Sequence, residues 1–67
     1  MAKTITLNLT EDEAEMILDA LDSDAEGYAE SATEARKEGD KTSMETFREA
    51  AQRIVVLRAR VQSALDA

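Results

Sequence analysis

Few side chains in this 67-residue chain could carry out catalysis. The chain contains no histidine and no cysteine, so a nucleophile would have to be a serine, a threonine or Tyr28. The sequence places no base beside any of them. Carboxylates number fifteen, but acid–base catalysis needs one in an apolar pocket with a shifted pKa. Most carboxylates here fall on the polar faces of predicted helices, so we expect a non-enzymatic protein without a cofactor.

One acidic segment has the spacing of a calcium-binding loop. Residues 22–30 resemble the first nine positions of an EF-hand loop, with oxygen ligands at alternate positions and Gly27 at the sixth, where that loop turns sharply. The twelfth position, normally a bidentate glutamate, is Thr33. A calcium-responsive hairpin is therefore a third functional hypothesis. Its candidate ligands are Asp22, Asp24, Glu26 and Glu30.

The acidic residues also form a row along the first predicted helix. Residues three and four apart lie on one side of a helix. Proteins that imitate DNA present such rows to the basic grooves of nucleases or polymerases, whereas the simpler interpretation is a solvated face. The candidate partner-binding residues are Glu11, Glu15, Asp19, Asp22, Glu26 and Glu30.

The charge of the chain narrows its possible partners. Its net charge is −7, and residues 1–39 hold eleven acidic and three basic side chains. This charge repels nucleic acids and anionic membranes, so we expect a protein partner with a basic surface. No apolar run approaches the ~20 residues that span a bilayer. Residues 1–4 have no signal-peptide character, so we expect a cytoplasmic protein.

A short strand is predicted at the start of the chain, over residues 3–9. Ile5, Leu7 and Leu9 alternate with polar residues, which is typical of a half-buried strand. A single strand leaves its backbone groups unpaired. We therefore expect it to pair with a second copy of the chain or with a partner's edge strand.

The first amphipathic helix is predicted over residues 11–38. Thr10 and Glu13 have the spacing of a capping box, and Gly39 is placed to end the helix in the left-handed conformation. Gly27 weakens the middle of the helix. We expect either a bend near residues 22–27 or close helix packing there.

The second amphipathic helix is predicted over residues 42–65, where Thr42 and Glu45 repeat the capping-box spacing. Its arginines lie on the polar side and can pair with carboxylates of the first helix. Its apolar stripe follows a heptad spacing. That stripe consists of Phe47, Ala50, Ile54, Leu57, Val61 and Ala64.

These elements predict a mainly α-helical single domain over residues 1–67, an antiparallel two-helix hairpin with a short N-terminal strand. A chain this short, without a disulfide, buries so little surface that a lone monomer would be only marginally stable. We therefore expect the hairpin to dimerise into a four-helix arrangement. The predicted shared core is Ile5, Leu7, Leu9, Ile17, Leu21, Tyr28, Phe47, Ile54, Leu57 and Val61.

The order of elements resembles the ribbon-helix-helix family of DNA-binding regulators and antitoxins. In that family, two strands pair across a dimer and their polar face enters the major groove. The resemblance implies that residues 3–8 would contact bases and that the turn at residues 39–43 would contact phosphate. The corresponding strand face is Lys3, Thr4, Thr6 and Asn8.

A second resemblance covers the two ends of the chain. The segment from Thr4 to Glu15 and the segment from Ile54 to Val61 are similar to those of small accessory proteins of bacteriophages and mobile elements. This resemblance implies a non-enzymatic protein that binds a host or phage protein. An inhibitor acting through its acidic helix face is our first hypothesis. A ribbon-helix-helix-type regulator is the alternative.

Overall fold

The computed structural model describes residues 3–67, which form two α-helices joined by a short turn. Helix α1 spans Glu11–Lys37 and helix α2 spans Lys41–Asp66. The two helices pack against each other as an antiparallel hairpin. The predicted domain also includes Met1 and Ala2, which lie outside the described residues.

The capping box predicted at the start of α1 is confirmed. The Glu13 backbone N–H donates to Thr10 Oγ1 at 3.2 Å, and the Thr10 backbone N–H donates to Glu13 Oε1 at 2.9 Å. Two amides that the helix itself cannot satisfy are thereby paired. Three acidic residues in the first turn also lie at the positive end of the helix dipole.

Gly39 ends α1 in the left-handed conformation, as predicted, with φ of +76°. The Gly39 N–H donates to the Arg36 carbonyl at 3.1 Å, and the Asp40 N–H donates to the Ala35 carbonyl at 2.9 Å. These two bonds form a Schellman motif. The helix ends at Lys37, one residue before the predicted end.

The prediction that Thr42 caps α2 is wrong, because Asp40 takes that role. The Ser43 backbone N–H donates to Asp40 Oδ1 at 3.0 Å, and α2 already begins at Lys41. Thr42 lies inside the helix, where its carbonyl accepts a hydrogen bond from the Thr46 hydroxyl. Asp40 lies three residues before Ser43, the same spacing as the predicted box, and it comes first after the turn.

The strand predicted over residues 3–9 is not found, since no described residue forms a β-strand. This segment is exposed: Ile5 retains 79% of its surface and Leu7 retains 69%. A strand needs a neighbouring strand to satisfy its backbone, and the single chain offers none.

The α1 side of the helix seam contains the predicted core residues Leu21 and Tyr28, but Leu18 rather than Ile17 is the large buried side chain of its first turns. Among the described residues only four are buried, and three of them are alanines. Half-buried side chains complete a line that alternates steps of four and three, as helix packing requires. The α1 seam consists of Ala14, Leu18, Leu21, Ala25, Tyr28, Ala32 and Ala35.

The α2 side of the seam is rotated relative to the predicted heptad. Leu57, placed in the predicted core, is 46% exposed, and Ala64 is exposed as well. The rotation brings Arg58 toward α1, where it pairs with Asp22. The α2 seam consists of Met44, Phe47, Ala51, Ile54, Arg58, Val61 and Leu65.

The hairpin is a single layer of helices. Its principal-axis extents are 43 × 29 × 14 Å and its radius of gyration is 14.5 Å. A compact domain of this length would have a radius of gyration of about 11 Å. Folded domains normally consist of at least two packed layers, so both broad faces of this hairpin have no neighbouring helix among residues 3–67.

Helix α1 is continuous through residues 22–27, where the sequence predicts either a bend or close helix packing. Gly27 is exposed, and a Cβ atom at this position would meet nothing within 4 Å.

Gly27→Ala should therefore stabilise the chain by about 1 kcal/mol through helix propensity. Circular-dichroism melting should show a midpoint higher by roughly 4–8 °C. Ala29→Gly, at an exposed position in the same helix, should lower the midpoint by a similar amount. A lower midpoint in Gly27→Ala would mean that another molecule packs closely on Gly27.

The helix caps predict a loss of stability in acid. The backbone hydrogen bond from Thr10 lowers the pKa of Glu13 below its ordinary 4.5, and the bonds from Ser43 lower the pKa of Asp40 below its ordinary 3.8. The folded state binds these protons less readily than the unfolded state. The stability that the two caps supply is therefore present above these values and is lost as the pH falls below them.

Melting midpoints measured from pH 7 down to pH 2.5 should test this. Protonating the exposed carboxylates also relieves repulsion, so the comparison needs a Glu13→Gln variant, which keeps an acceptor for the Thr10 N–H but lacks the titrating charge. The difference in melting midpoint between the wild type and Glu13→Gln should disappear as the pH falls. A difference that stays constant from pH 7 to pH 2.5 would show that Glu13 does not stabilise the helix through its charge.

Candidate interaction surfaces

The predicted acidic row lies along one side of α1. Five of its six members are exposed, and Asp22 is half-buried. At about 100° per residue, the six positions fall within roughly a third of the helix circumference. The exposed members are Glu11, Glu15, Asp19, Glu26 and Glu30.

Asp22 is held in an ion pair with the other helix. Arg58 Nε donates to Asp22 Oδ1, and this is the only ion pair among residues 3–67. The hydrogen bond to Asp22, and then the charge of Asp22, raise the pKa of the Arg58 guanidinium. The two side chains keep 37% and 48% of their surface, so solvent screens the pair and it contributes little to stability. Its main effect is to fix the rotation of α2 against α1.

The candidate calcium ligands do not converge. Residues 22–33 belong to the continuous helix α1 and do not form a loop. On a helix, Asp22 and Asp24 point about 200° apart, whereas an EF-hand directs its ligands to one centre. Within the described part of the chain, no group of three or more acidic side chains is placed to hold a metal ion. This geometry gives a calcium site no support.

The start of α2 is poorly suited to binding phosphate. A helix N-terminus binds anions through free backbone N–H groups. Here the Ser43 N–H already donates to the Asp40 carboxylate, whose pKa is lowered by that interaction. An ionised carboxylate therefore occupies the position where a phosphate would bind.

The large exposed apolar side chains lie on the N-terminal segment and on α2, except for Met16 on α1, which is 70% exposed. Leu7 and Leu9 line an open groove with Leu57 and Val61, and its volume is about 670 Å³. Leu9 is 40% exposed, although it borders this groove. The large apolar residues that remain exposed are Ile5, Leu7, Leu9, Met16, Val55, Val56 and Leu57.

The hairpin has two broad faces of different character. One face carries the acidic row, and on it a groove of about 620 Å³ is lined by Ala29, Thr33, Arg48 and Val55. We call it the acidic face. The opposite face carries the residues that lie beside the seam on each helix. The rotation of α2 leaves these residues uncovered.

We call this opposite side the apolar face. It is defined by two sets of positions that repeat every seven residues, because residues seven apart lie on one side of a helix. The α1 set is Ile17, Asp24 and Ser31, and the α2 set is Ala50, Leu57 and Ala64. The predicted core residues Ile17 and Leu57 therefore lie on this face, beside the seam.

The sequence predicted the acidic row and the pairing of α2 arginines with α1 carboxylates, but it did not identify Asp22 and Arg58 as the partners. Both residues were assigned to polar faces, and their separation of 36 positions gave no signal of contact. Every predicted core residue on the helices except Leu57 is half-buried in the single chain. Those residues are Ile17, Leu21, Tyr28, Phe47, Ile54 and Val61.

The seam itself has an aromatic contact near the turn. The rings of Tyr28 and Phe47 lie with their centroids 6.3 Å apart and their planes tilted by 33°. This spacing is within the range of favourable aromatic pairs. Among residues 3–67, no polar or charged side chain is buried. The chemistry available to the described residues is therefore that of surfaces rather than of an enclosed pocket.

Comparison with known proteins gives no relatives. The chain matches no known protein family, no curated protein and no solved structure. In the described part of the chain, neither helix combines the length and the apolar character that crossing a membrane requires.

Proposed function

We propose that this chain is a non-enzymatic protein–protein interaction module. One observation carries the proposal: a single-layer hairpin exposes 5754 Å² of surface. A compact protein of 7.3 kDa would expose about 4,200 Å². The difference consists largely of surface that ordinary folding would cover, and it includes seven exposed large apolar side chains. Covering such surface requires another protein molecule.

The first partner in this proposal is a second copy of the chain. Two hairpins packed by their apolar faces make the four-helix arrangement that the sequence predicts. The exposed N-terminal segment, residues 3–9, then pairs as a strand with its counterpart or with a partner's edge strand. Such pairing supplies the neighbour that the strand lacks in the single chain.

The second partner is a host or phage protein with a basic surface, bound by the acidic face. Five exposed carboxylates on one side of α1 support this choice, together with the resemblance of the chain ends to phage accessory proteins. An inhibitor that occupies a basic groove fits this charge distribution. Because rim charges mainly steer association, the acidic face would act through the rate and specificity of binding.

A matched pair of charge variants tests the second partner. Glu15→Lys with Glu26→Lys reverses two charges on the acidic face, whereas Glu34→Lys with Glu38→Lys makes the same net change at the C-terminal end of α1 and just beyond it. Proteins captured from lysate by the wild type should be lost with the first variant and kept with the second. Equal capture by both variants would refute a role for the acidic face. Equal loss would show only a general dependence on net charge and would refute it as well.

The alternative is a ribbon-helix-helix-type regulator that binds DNA. The order of elements predicted from the sequence favours it, but the strand is not found in residues 3–67, and the Asp40 carboxylate at the start of α2 and the net charge of −7 oppose it. A gel-shift assay at low salt separates the two functions. The proposed module should leave duplex DNA unshifted, whereas a regulator should retard it and lose it steeply as salt rises.

A further inference from the structure

The uncovered flank of α2 identifies how a second copy packs. This inference rests on the proposed function and specifies its first partner. We propose that two hairpins meet by their apolar faces, with α1 of each copy lying on α2 of the other. The twofold axis then runs parallel to the helices between the two layers.

The area of the uncovered surface is sufficient for a stable dimer. The surplus over a compact protein of this mass is roughly 1,500 Å². A specific interface needs about 800 Å² from each partner. The surplus therefore exceeds what one copy must supply to such an interface.

The apolar face also has the composition of an interface. Leu57 is 46% exposed there, Ile17 is half-buried beside the seam, and Ala50 and Ala64 flank Leu57 at seven-residue spacing. Leu7 and Leu9 extend the apolar surface at one end. The opposite broad face carries the carboxylates of the acidic row, whose desolvation would oppose close packing.

Two twofold arrangements can bring these faces together. With the axis parallel to the helices, α1 of one copy lies on α2 of the other. With the axis across the helices, α1 lies on α1 and α2 lies on α2. In both arrangements the two copies use the same surface, as a twofold dimer requires, so symmetry does not distinguish them.

The charges of the two helices make that decision. Helix α1 carries ten acidic and two basic residues, whereas α2 carries three acidic and five basic residues. Placing α1 on α1 would bring two strongly negative helices within the screening length of about 8–10 Å. Placing α1 on α2 brings acidic groups to basic ones in both contacts.

The contacts within the hairpin identify the residues that meet. Asp22 contacts Arg58, and Tyr28 contacts Phe47, so Asp24 lies level with the middle of the stretch 47–58. Rotation about an axis parallel to the helices does not change the position of a residue along that axis. Asp24 of one copy therefore faces the neighbourhood of Arg53 in the other. Both side chains are exposed, and neither has an ion-pair partner among residues 3–67.

Single cysteines test this arrangement, because the natural chain has none. Asp24→Cys and Arg53→Cys are prepared separately, mixed under reducing conditions and then oxidised. The mixture should give a disulfide-linked heterodimer of one copy of each variant. Either variant alone should give at least about tenfold less cross-linked product. Glu26→Cys mixed with Arg53→Cys is the matched control, since Glu26 lies on the acidic face, and should also give little.

Three outcomes would overturn the inference. One is cross-linking of Asp24→Cys with itself as efficient as in the mixture. Another is cross-linking of the Glu26→Cys control mixture at the same level. The third is a wild-type chain that sediments as a monomer up to millimolar concentration. The capture experiment with the acidic-face variants does not depend on any of these results. A failed cross-link with successful capture therefore removes the dimer arrangement alone, and the reverse result removes the basic partner alone.

Discussion

Leu57→Asp should abolish self-association of the chain while leaving the hairpin helical. Leu57 keeps 46% of its surface in the single chain, so it contributes little to the seam between α1 and α2. In the proposed dimer it is covered by the second copy, and each interface contains it twice. Losing burial of about 1.5 kcal/mol on each side, and burying a carboxylate instead, should weaken the dimer by ~3 kcal/mol or more. The dissociation constant should rise at least about 100-fold.

Sedimentation equilibrium and circular dichroism together measure this effect. Ala59→Asp introduces the same charge at an exposed position of α2 that lies outside the apolar face, and it should associate like the wild type. At high protein concentration, the melting midpoint of Leu57→Asp should equal that of the wild type measured at a concentration low enough for the wild type to be monomeric. A Leu57→Asp chain that dimerises normally would show that the apolar face is not the interface.

The helix ends show how far local sequence predicts structure. The bonds at Thr10 and the left-handed conformation of Gly39 depend only on residues within a few positions. Such short-range signals are complete in the sequence, so both were predicted. At α2 two capping candidates overlap, and Asp40 prevails over Thr42 because it directly follows the residue that reverses the chain. Local spacing alone did not distinguish them.

The rotation of α2 could not be predicted in the same way. Two heptad lines share Phe47, Ile54 and Val61, and they differ in whether Leu57 or Arg58 faces α1. Hydropathy favours the leucine. The structure instead turns Arg58 toward Asp22 and leaves Leu57 on the uncovered flank. The deciding contact joins residues 36 positions apart, so no short-range spacing in the sequence indicates it.

The unpaired N-terminal segment has a different explanation. Its alternation is a property of the sequence, but a strand exists only beside another strand. The single chain cannot supply that neighbour, so residues 3–9 have no regular structure and Ile5 is 79% exposed. The same reasoning applies to the acidic row. Helix geometry places its members on one side of α1, and this could be predicted from the sequence. A partner of the row lies outside the chain, so the sequence does not identify it.

Ile54→Asp should unfold the hairpin, in contrast to Leu57→Asp. Ile54 lies at the centre of the α2 seam and belongs to both heptad lines, so neither rotation of α2 removes it from α1. Losing its burial and placing a carboxylate between the helices should cost about 2–4 kcal/mol. That is a large part of the stability of any domain of this size. The melting midpoint should fall by more than about 10 °C, with loss of helical signal at room temperature.

Gln52→Asp is the matched control for this second variant. It introduces the same charge on the same helix at an exposed position, and its midpoint should change by only a few degrees. The aspartate variants at positions 54 and 57 separate folding from assembly. Ile54 lies in the seam, whereas Leu57, three residues later, lies on the apolar face. If Ile54→Asp stays helical while Leu57→Asp unfolds, the assignment of the two faces of α2 is reversed. The heptad line through Leu57 would then be the one that packs on α1.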